Sequence, residues 1–244
     1  MKEKFNTCSV SVFLLHFIVI SLILTLVLVS LSAYASENDP KLFSVDSAPY
    51  GVSYIEWTQR WWQWYVSIPK TQSPNFVSNH IECSVGQDPN SPVFFLFSPL
   101  VDEENPNRTC TIPQGKAILI PIVAGIADFG DPELPEKTDK ALTETVIAGN
   151  NNAEILVRLD DVPLDISNDN RFRVLSDFFN IRLPENNLWE EKEKPGTYKA
   201  RAEGYYVFLE PLSPGEHILY YEAGTHFPNP INYSQKVTYH LIVK

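Results

Sequence analysis

Val93-Phe94-Phe95-Leu96-Phe97-Ser98 is a continuous apolar run, and it predicts a buried β-strand. A second apolar run, residues 117–123 (AILIPIV), follows the turn Pro113-Gln114-Gly115-Lys116. Pro121 lies inside this second run and has no N–H to donate to a neighbouring strand. The sequence therefore predicts that the second run is an edge strand or a bulged strand.

Strand patterns continue towards the C-terminus. Alternate apolar residues at Ile155, Val157 and Leu159 precede Asp160-Asp161, which predicts a hairpin turn into a strand over 162–166. Further strands are predicted over 172–175, 178–183, 205–209, 217–221 and 237–243. Many short strands separated by turns are typical of β-sandwiches and barrels. The turn Pro211–His217 (PLSPGEH) is also similar to a turn of extracellular β-sandwich modules. The predicted fold is mainly β, an immunoglobulin-like or jelly-roll β-sandwich.

Two helices are predicted in proline-free windows, because proline disrupts helix interiors. In the first, Ser53 and Glu56 form a capping pattern and Pro69 ends the helix. Aromatic and apolar residues recur at helical spacing between them, at Tyr54, Trp57, Trp61, Tyr65 and Ile68. The second, shorter helix is predicted over 139–148, with Gly149 at its end.

The N-terminus has the pattern of an export signal. Lys2 and Lys4 precede an uncharged, mainly apolar run over 10–31, and the small-residue site Ala33-Tyr34-Ala35 follows it. We expect cleavage after Ala35, which leaves 36–244 as a single exported domain. Because the run is long enough to cross a bilayer, an uncleaved signal anchor over 10–31 is the alternative. In both cases the rest of the chain is extracellular or at the cell surface, and only the N-terminal segment contacts the membrane.

Composition and cysteine usage agree with export. The 244-residue chain carries a formal net charge of −11, which excludes a typical nucleic-acid-binding protein because phosphate contacts need clustered Lys and Arg. Cys8 lies in the signal segment, so Cys83 and Cys110 remain as a pair and predict a disulfide in an oxidising compartment. The competing interpretation is a metal site of His80 and Cys83, spaced as H-x-x-C.

Several segments resemble an uncharacterised family of exported proteins of bacteria and archaea. The resemblance covers about residues 54–222. Its most specific motifs are the helix with Glu56-Trp57, Trp61-Trp62-Gln63-Trp64 and Ser67-Ile68-Pro69, and the strand Cys110-Thr111-Ile112-Pro113-Gln114-Gly115-Lys116. It implies export and one β-rich domain, and it implies no particular activity.

The Trp-rich helix is the main candidate binding element. On a helical wheel Trp57, Trp61 and Trp64 share one face, which favours a core position for these three. Trp62 lies off that face, so Trp62 and Gln63 are the predicted exposed contact residues. Tryptophan offers an apolar platform for sugar rings. The sequence therefore favours a non-catalytic binding module for a carbohydrate or protein partner at the cell surface.

Acidic residues supply the candidate metal ligands and the candidate catalytic groups. Asp128 and Asp131, together with Asp160, Asp161, Asp165 and Asp169, offer oxygen ligands for Ca²⁺, although their spacing is not that of an EF-hand. No cofactor other than Ca²⁺ is expected. The alternative functions are a glycan-directed extracellular hydrolase, with its acid and base among Glu56, Asp128 and Asp131, and a structural envelope component. The charge run 190–194 (EEKEK) predicts a solvated loop.

Histidine and nucleophile motifs give no catalytic prediction. Four histidines lie beyond the signal segment, at His80, His217, His226 and His240, and they are scattered without metal-ligand spacing. The chain has no G-x-S-x-G motif and no phosphate-binding glycine loop. No catalytic residue is therefore assigned from the sequence.

Overall fold

The computed structural model describes residues 41–75, 83–99, 106–164, 166, 172–189, 192–225 and 233–244. These residues form ten strands in two mixed sheets and two α-helices, so the prediction of a mainly β fold is confirmed. The helices are α1 (Tyr54–Ser67) and α2 (Asp139–Gly149). The strands are β1 (Val93–Phe95), β2 (Asn107–Ile112), β3 (Ala117–Asp128), β4 (Ala153–Leu159), β5 (Val162–Leu164), β6 (Arg173–Leu175), β7 (Phe179–Leu183), β8 (Gly196–Leu209), β9 (Gly215–Thr225) and β10 (Tyr233–Val243).

The first sheet has the order β1-β3-β8, and β6 and β7 both pair with the far edge of β8. The second sheet has the order β2-β10-β9-β4-β5. Each sheet contains one parallel pair, β1 with β3 and β10 with β2, and its other pairs are antiparallel. The hairpin predicted at Asp160-Asp161 joins β4 to β5.

Strand β3 shows how the chain accommodates Pro121. The strand lies between β1 and β8, so it is interior and the edge alternative is wrong. Its register with β8 shifts between Pro121 and Val123, so the bulged alternative is confirmed. A bulge lets an interior strand contain a residue that cannot donate a ladder hydrogen bond.

The two faces of the first sheet are buried in different clusters. One face packs against the second sheet, with Ile120 and Val207 in the same apolar cluster as Leu219 and Tyr239. The opposite face packs under α1. Because successive side chains of a strand point to opposite faces, β8 supplies both clusters. The described chain thus has three layers: α1, the first sheet and the second sheet.

Helix α1 begins and ends where the sequence predicts. Ser53 is the N-cap, and its Oγ accepts a hydrogen bond from the Glu56 N–H at 3.1 Å. The helix ends at Ser67, two residues before Pro69. Helix α2 has Thr138 as its N-cap and buries Leu142 and Val146 in a small separate cluster.

The predicted disulfide is confirmed. Cys83 and Cys110 are bonded with their Cα atoms 5.5 Å apart, which ties the segment before β1 to strand β2. The alternative in which Cys83 ligates a metal with His80 is wrong for Cys83, because its sulfur is already bonded. His80 itself lies outside the described residues.

The predicted export segment lies outside the described residues, and so does its cleavage site Ala35. In the described ranges, no helix has the length and apolar character needed to cross a membrane. Residues Pro40–Lys244 form one compact unit.

Candidate functional site

All four clustered tryptophans of α1 are buried, with exposed fractions of 3% for Trp57, 1% for Trp61, 7% for Trp62 and 8% for Trp64. The core prediction for Trp57, Trp61 and Trp64 is confirmed. The expected exposure of Trp62 is wrong, because the first sheet presents a broad aromatic face to the helix. Trp62 Nε1 donates to the buried Tyr206 hydroxyl at 2.8 Å.

Gln63 is exposed, as predicted, but its side chain is engaged within the protein. Its Nε2 donates to the Asn180 carbonyl of β7 at 3.0 Å. The contact pair predicted from the sequence therefore becomes a pair that holds α1 on the first sheet. Trp62 does this from within the core and Gln63 from the rim.

A surface groove lies beside α1, and Trp57 and Trp64 form its floor. Trp57 Nε1 donates to the Pro49 carbonyl at 2.9 Å, and Trp64 Nε1 donates to the Val85 carbonyl at 3.2 Å. Since both indole N–H groups are already paired, these residues offer a ligand only part of the apolar ring surface. A ligand would have to find its hydrogen bonds on the groove rim.

The groove has a volume of about 360 Å³ and lies between α1 and the segment that leads into β1. Helix α1 contributes Trp57, Arg60 and Trp64 to its lining. The facing segment contributes polar groups, among them Asp88 and Asn90. Apolar ring surface below and amide, carboxylate and guanidinium groups around it form the chemistry that a small polar ligand with one apolar face would match.

The facing wall of the groove is fixed by its own hydrogen bonds. The Gln87 side chain donates from Nε2 to the Phe95 carbonyl at 2.7 Å and accepts the Phe95 N–H on Oε1 at 3.1 Å. Lys116 Nζ donates to the Asp88 and Pro89 carbonyls at 3.1 and 3.0 Å. The wall is therefore tied to β1 through Gln87 and to the start of β3 through Lys116. These bonds make the groove largely preformed.

Gly86 allows this wall to approach α1 closely. Its φ of +66° lies in the left-handed region that favours glycine, and an added Cβ would stand 3.0 Å from Trp64 Nε1 and 3.3 Å from the Ile68 side chain. A larger residue here would push the wall away from the helix and widen the groove.

Arg60 covers one side of the groove floor. Its guanidinium carbon lies 4.8 Å from the Trp57 ring centroid, and its Nη2 donates to Glu56 Oε1 at 2.7 Å. Glu56, one of the three carboxylates predicted as possible acid or base, is thus paired with Arg60 on the outside of α1. Asp128, another of the three carboxylates, pairs with Glu193 instead.

Asp128 lies at the end of β3 and pairs with Glu193, a residue that the sequence analysis assigned to a solvated loop. That assignment is wrong for Glu193, which is only 7% exposed, while Asp128 is 2% exposed. Burial raises the pKa of Asp128. Burial, followed by the negative charge of Asp128, raises the pKa of Glu193 to about 8. The mixed-sign run around Glu193 gave no signal of burial, which arises from a contact between distant segments.

Asp131 contributes charge to this acidic pair. Its negative charge raises the pKa of both Asp128 and Glu193. Among the residues that the structure describes, no three or more His, Cys, Asp or Glu side chains are grouped as metal ligands. Asp165 and Asp169 lie outside those residues. Asp160 is engaged with His217.

A second cleft, of about 520 Å³, is lined by residues that include Asp160, His217 and His240. His217 Nδ1 lies 2.6 Å from Asp160 Oδ2, and the Ser213 hydroxyl lies 3.4 Å from His217 Nε2, an order that resembles a catalytic triad. His217 Nε2, however, lies closer to the Ser213 carbonyl oxygen, at 2.9 Å, than to the Ser213 hydroxyl, so this nitrogen faces a backbone oxygen and not the hydroxyl that a triad requires. The residue after Ser213 is Pro214, which has no N–H for an oxyanion hole. This arrangement locks two turns together. His226 lies outside the described residues.

Comparisons with known proteins give no assignment. No protein-family profile matches the chain, and no curated protein matches it. Among solved structures, the chain has a weak similarity to the cysteine protease inhibitor EhICP2 from Entamoeba histolytica. The alignment has 12% sequence identity, covers 59% of this chain and 91% of the inhibitor, and has a TM-score of 0.22. A TM-score this low carries no argument about fold or function.

Proposed function

We propose that this protein is an exported, non-catalytic binding module whose groove beside α1 binds a carbohydrate. The proposed domain is an immunoglobulin-like or jelly-roll β-sandwich, displayed at the cell surface or released. The observation that carries the proposal is the preformed groove with Trp57 and Trp64 in its floor and Arg60, Asp88 and Asn90 on its rim. Sugars have many hydroxyls, for which the exposed Asp88 and Asn90 offer partners, and apolar ring faces, which would meet the small exposed part of Trp57 and Trp64, 3% and 8% of these residues.

Export is supported by two features of the chain. The N-terminal segment has the order of a secretory signal, and the Cys83–Cys110 disulfide fits an oxidising compartment. The resemblance of the Trp-rich helix to exported bacterial and archaeal proteins supports the same location. A module of this kind would contact the membrane only through its N-terminal segment.

The hydrolase alternative is less well supported. It needs an acid and a base that a substrate can reach, and the carboxyl pair with raised pKa values, Asp128 and Glu193, is 2% and 7% exposed. Glu56 is accessible but is paired with Arg60. On the groove beside α1, the rim residues Asp88 and Asn90 are exposed and can be reached by a ligand.

The proposal is tested by calorimetry of the protein against a panel of soluble polysaccharides. For a glycan that binds, Asn90→Ala is expected to weaken the affinity about fivefold, because one net hydrogen bond contributes about 1 kcal/mol and 1.4 kcal/mol is a factor of ten. The matched control is Asn180→Ala on β7. The backbone carbonyl of Asn180 accepts the hydrogen bond from Gln63, and replacing the Asn180 side chain leaves this carbonyl unchanged.

An affinity that falls about fivefold in Asn90→Ala and is unchanged in Asn180→Ala supports the groove. If the two variants bind the glycan equally well, the groove is not the site. If no polysaccharide in the panel binds, the carbohydrate proposal is wrong, and a protein partner or a structural envelope role becomes the better explanation.

A further inference from the structure

Side chains of α1 cover part of the outer edge of β7 and the chain just before it. Among the described residues β7 pairs only with β8, so its other edge faces no strand. Gln59 Nε2 donates to the Asp177 carbonyl at 3.3 Å, and Gln63 Nε2 donates to the Asn180 carbonyl at 3.0 Å. Two glutamines four residues apart thus occupy backbone acceptors that an added strand could otherwise use.

The glutamine series ends before the edge does. Four helical residues advance about 6 Å and two strand residues about 7 Å, so the next position of the series, Ser67, lies level with Arg182. Ser67 is the last residue of α1, and its hydroxyl donates to the Trp64 carbonyl at 2.8 Å. This hydroxyl is turned back into the helix and does not cover the strand.

The uncovered part of the edge lies in a cavity of about 740 Å³. In an antiparallel pair, the backbone N–H and C=O of every second residue point away from the partner strand. The Asn180 carbonyl points away from β8, since it accepts the Gln63 amide, and so do the N–H and C=O of Arg182. The cavity therefore contains one donor and one acceptor of an open strand edge. Its lining includes Ser67, Arg182, Leu183, Pro184, Pro195 and Thr197.

Two charged side chains in the lining of this cavity have no partner in the described part of the chain. Arg182 and Glu185 are both exposed, and neither forms a hydrogen bond or an ion pair with a described residue. A guanidinium binds a carboxylate through two parallel N–H donors, and a carboxylate accepts hydrogen bonds from an ammonium. The cavity thus offers one positive and one negative group beside an open strand edge.

We propose that the cavity beside β7 binds an extended peptide with a free C-terminal carboxylate. The peptide backbone pairs with the N–H and C=O of Arg182, and the guanidinium of Arg182 holds the terminal carboxylate. Glu185 favours a basic residue near the end of the peptide. Strand addition of this kind takes its affinity from main-chain hydrogen bonds and its specificity from side-chain contacts. The cavity shares no lining residue with the groove beside α1, and the proposal does not depend on carbohydrate binding.

The charge contact is tested by fluorescence polarisation of the full chain with a dye-labelled peptide of sequence VTVTKV. We expect the free acid to bind and the C-terminal amide to bind about tenfold more weakly, because the amide loses the charge-assisted bond to the guanidinium. Arg182→Gln should weaken binding of the free acid by the same factor and remove the difference between acid and amide. Arg158→Gln, at an exposed arginine on β4, is the matched control and should bind as wild type does.

The strand edge is tested by Ser67→Gln. A glutamine here continues the series of Gln59 and Gln63 and is expected to donate to the Arg182 carbonyl, so peptide binding should be lost while the melting temperature is kept. In wild type, NMR hydrogen exchange should show that the Arg182 amide becomes protected when the peptide binds. The proposal is wrong if neither form of the peptide binds wild type, if acid and amide bind equally, or if the Arg182 amide stays unprotected. Peptide binding that persists in Ser67→Gln would also overturn it.

Discussion

Reduction of the Cys83–Cys110 disulfide should destabilise the protein by an amount set mainly by chain length. The bond joins residues 27 apart, and the chain-entropy relation for a closed segment of this size gives about 3.5 kcal/mol at 25 °C. The compact unit Pro40–Lys244 has roughly 200 residues, so its unfolding entropy near the transition is about 0.4 kcal/mol per kelvin. The expected loss corresponds to a decrease in melting temperature of about 8 °C.

The assay is urea unfolding of the oxidised protein and of protein unfolded, reduced and refolded in the presence of a phosphine reductant. We expect the free energy of unfolding to fall by about 3.5 kcal/mol. We also expect the denaturant slope m to rise, because the reduced unfolded chain exposes more surface. Equal free energies and equal slopes in the two forms would refute the reasoning. They would mean that the bond does not restrict the unfolded chain.

Two more perturbations test the core and the acidic pair. Gly204→Ala should lower the free energy of unfolding by at least about 3 kcal/mol, because its Cβ would stand 2.4 Å from the backbone of Val123 and Ala124 in β3. The control Gly215→Ala has open space around its Cβ and should lower it by about 1 kcal/mol. Urea titrations of both variants measure the difference. In EDTA, the free energy of unfolding should fall as pH rises from 4.5 to 8, since folded Glu193 holds its proton to about pH 8 and an unfolded glutamate releases it near 4.5. Melts of Glu193→Gln across this range should lose that part of the pH dependence, and an unchanged profile would contradict the assignment.

Local patterns predicted the secondary structure well because their causes are local. Ser53 and Pro69 bound α1 through capping and through the missing proline N–H, which act within one helical turn. The turn at Asp160-Asp161 and the bulge at Pro121 depend equally on the conformations of a few adjacent residues.

The predictions that failed concern what lies opposite a residue in space. A helical wheel places Trp62 away from Trp57, but it contains no information about how wide a surface the first sheet presents. That width comes from Tyr206 and its neighbours, far along the chain. Glu193 lies in a run that resembles a solvated loop, and only its contact with Asp128 at the end of β3 buries it.

Strand β1 is the outer strand of the first sheet, and the Gln87 side chain occupies its free side by pairing with both backbone groups of Phe95. An open strand edge is a template on which another chain can add a strand, and such additions lead to aggregation. A glutamine amide presents an N–H donor beside a carbonyl acceptor, as a peptide unit does, so at Phe95 it acts as a one-residue substitute for the missing neighbour strand, while its second N–H donates to the Cys83 carbonyl at 3.2 Å. One side chain thus both fixes the wall of the groove and occupies the backbone groups of Phe95 on which another chain could add a strand, so the shape of the proposed binding groove and the protection of this edge depend on the same residue.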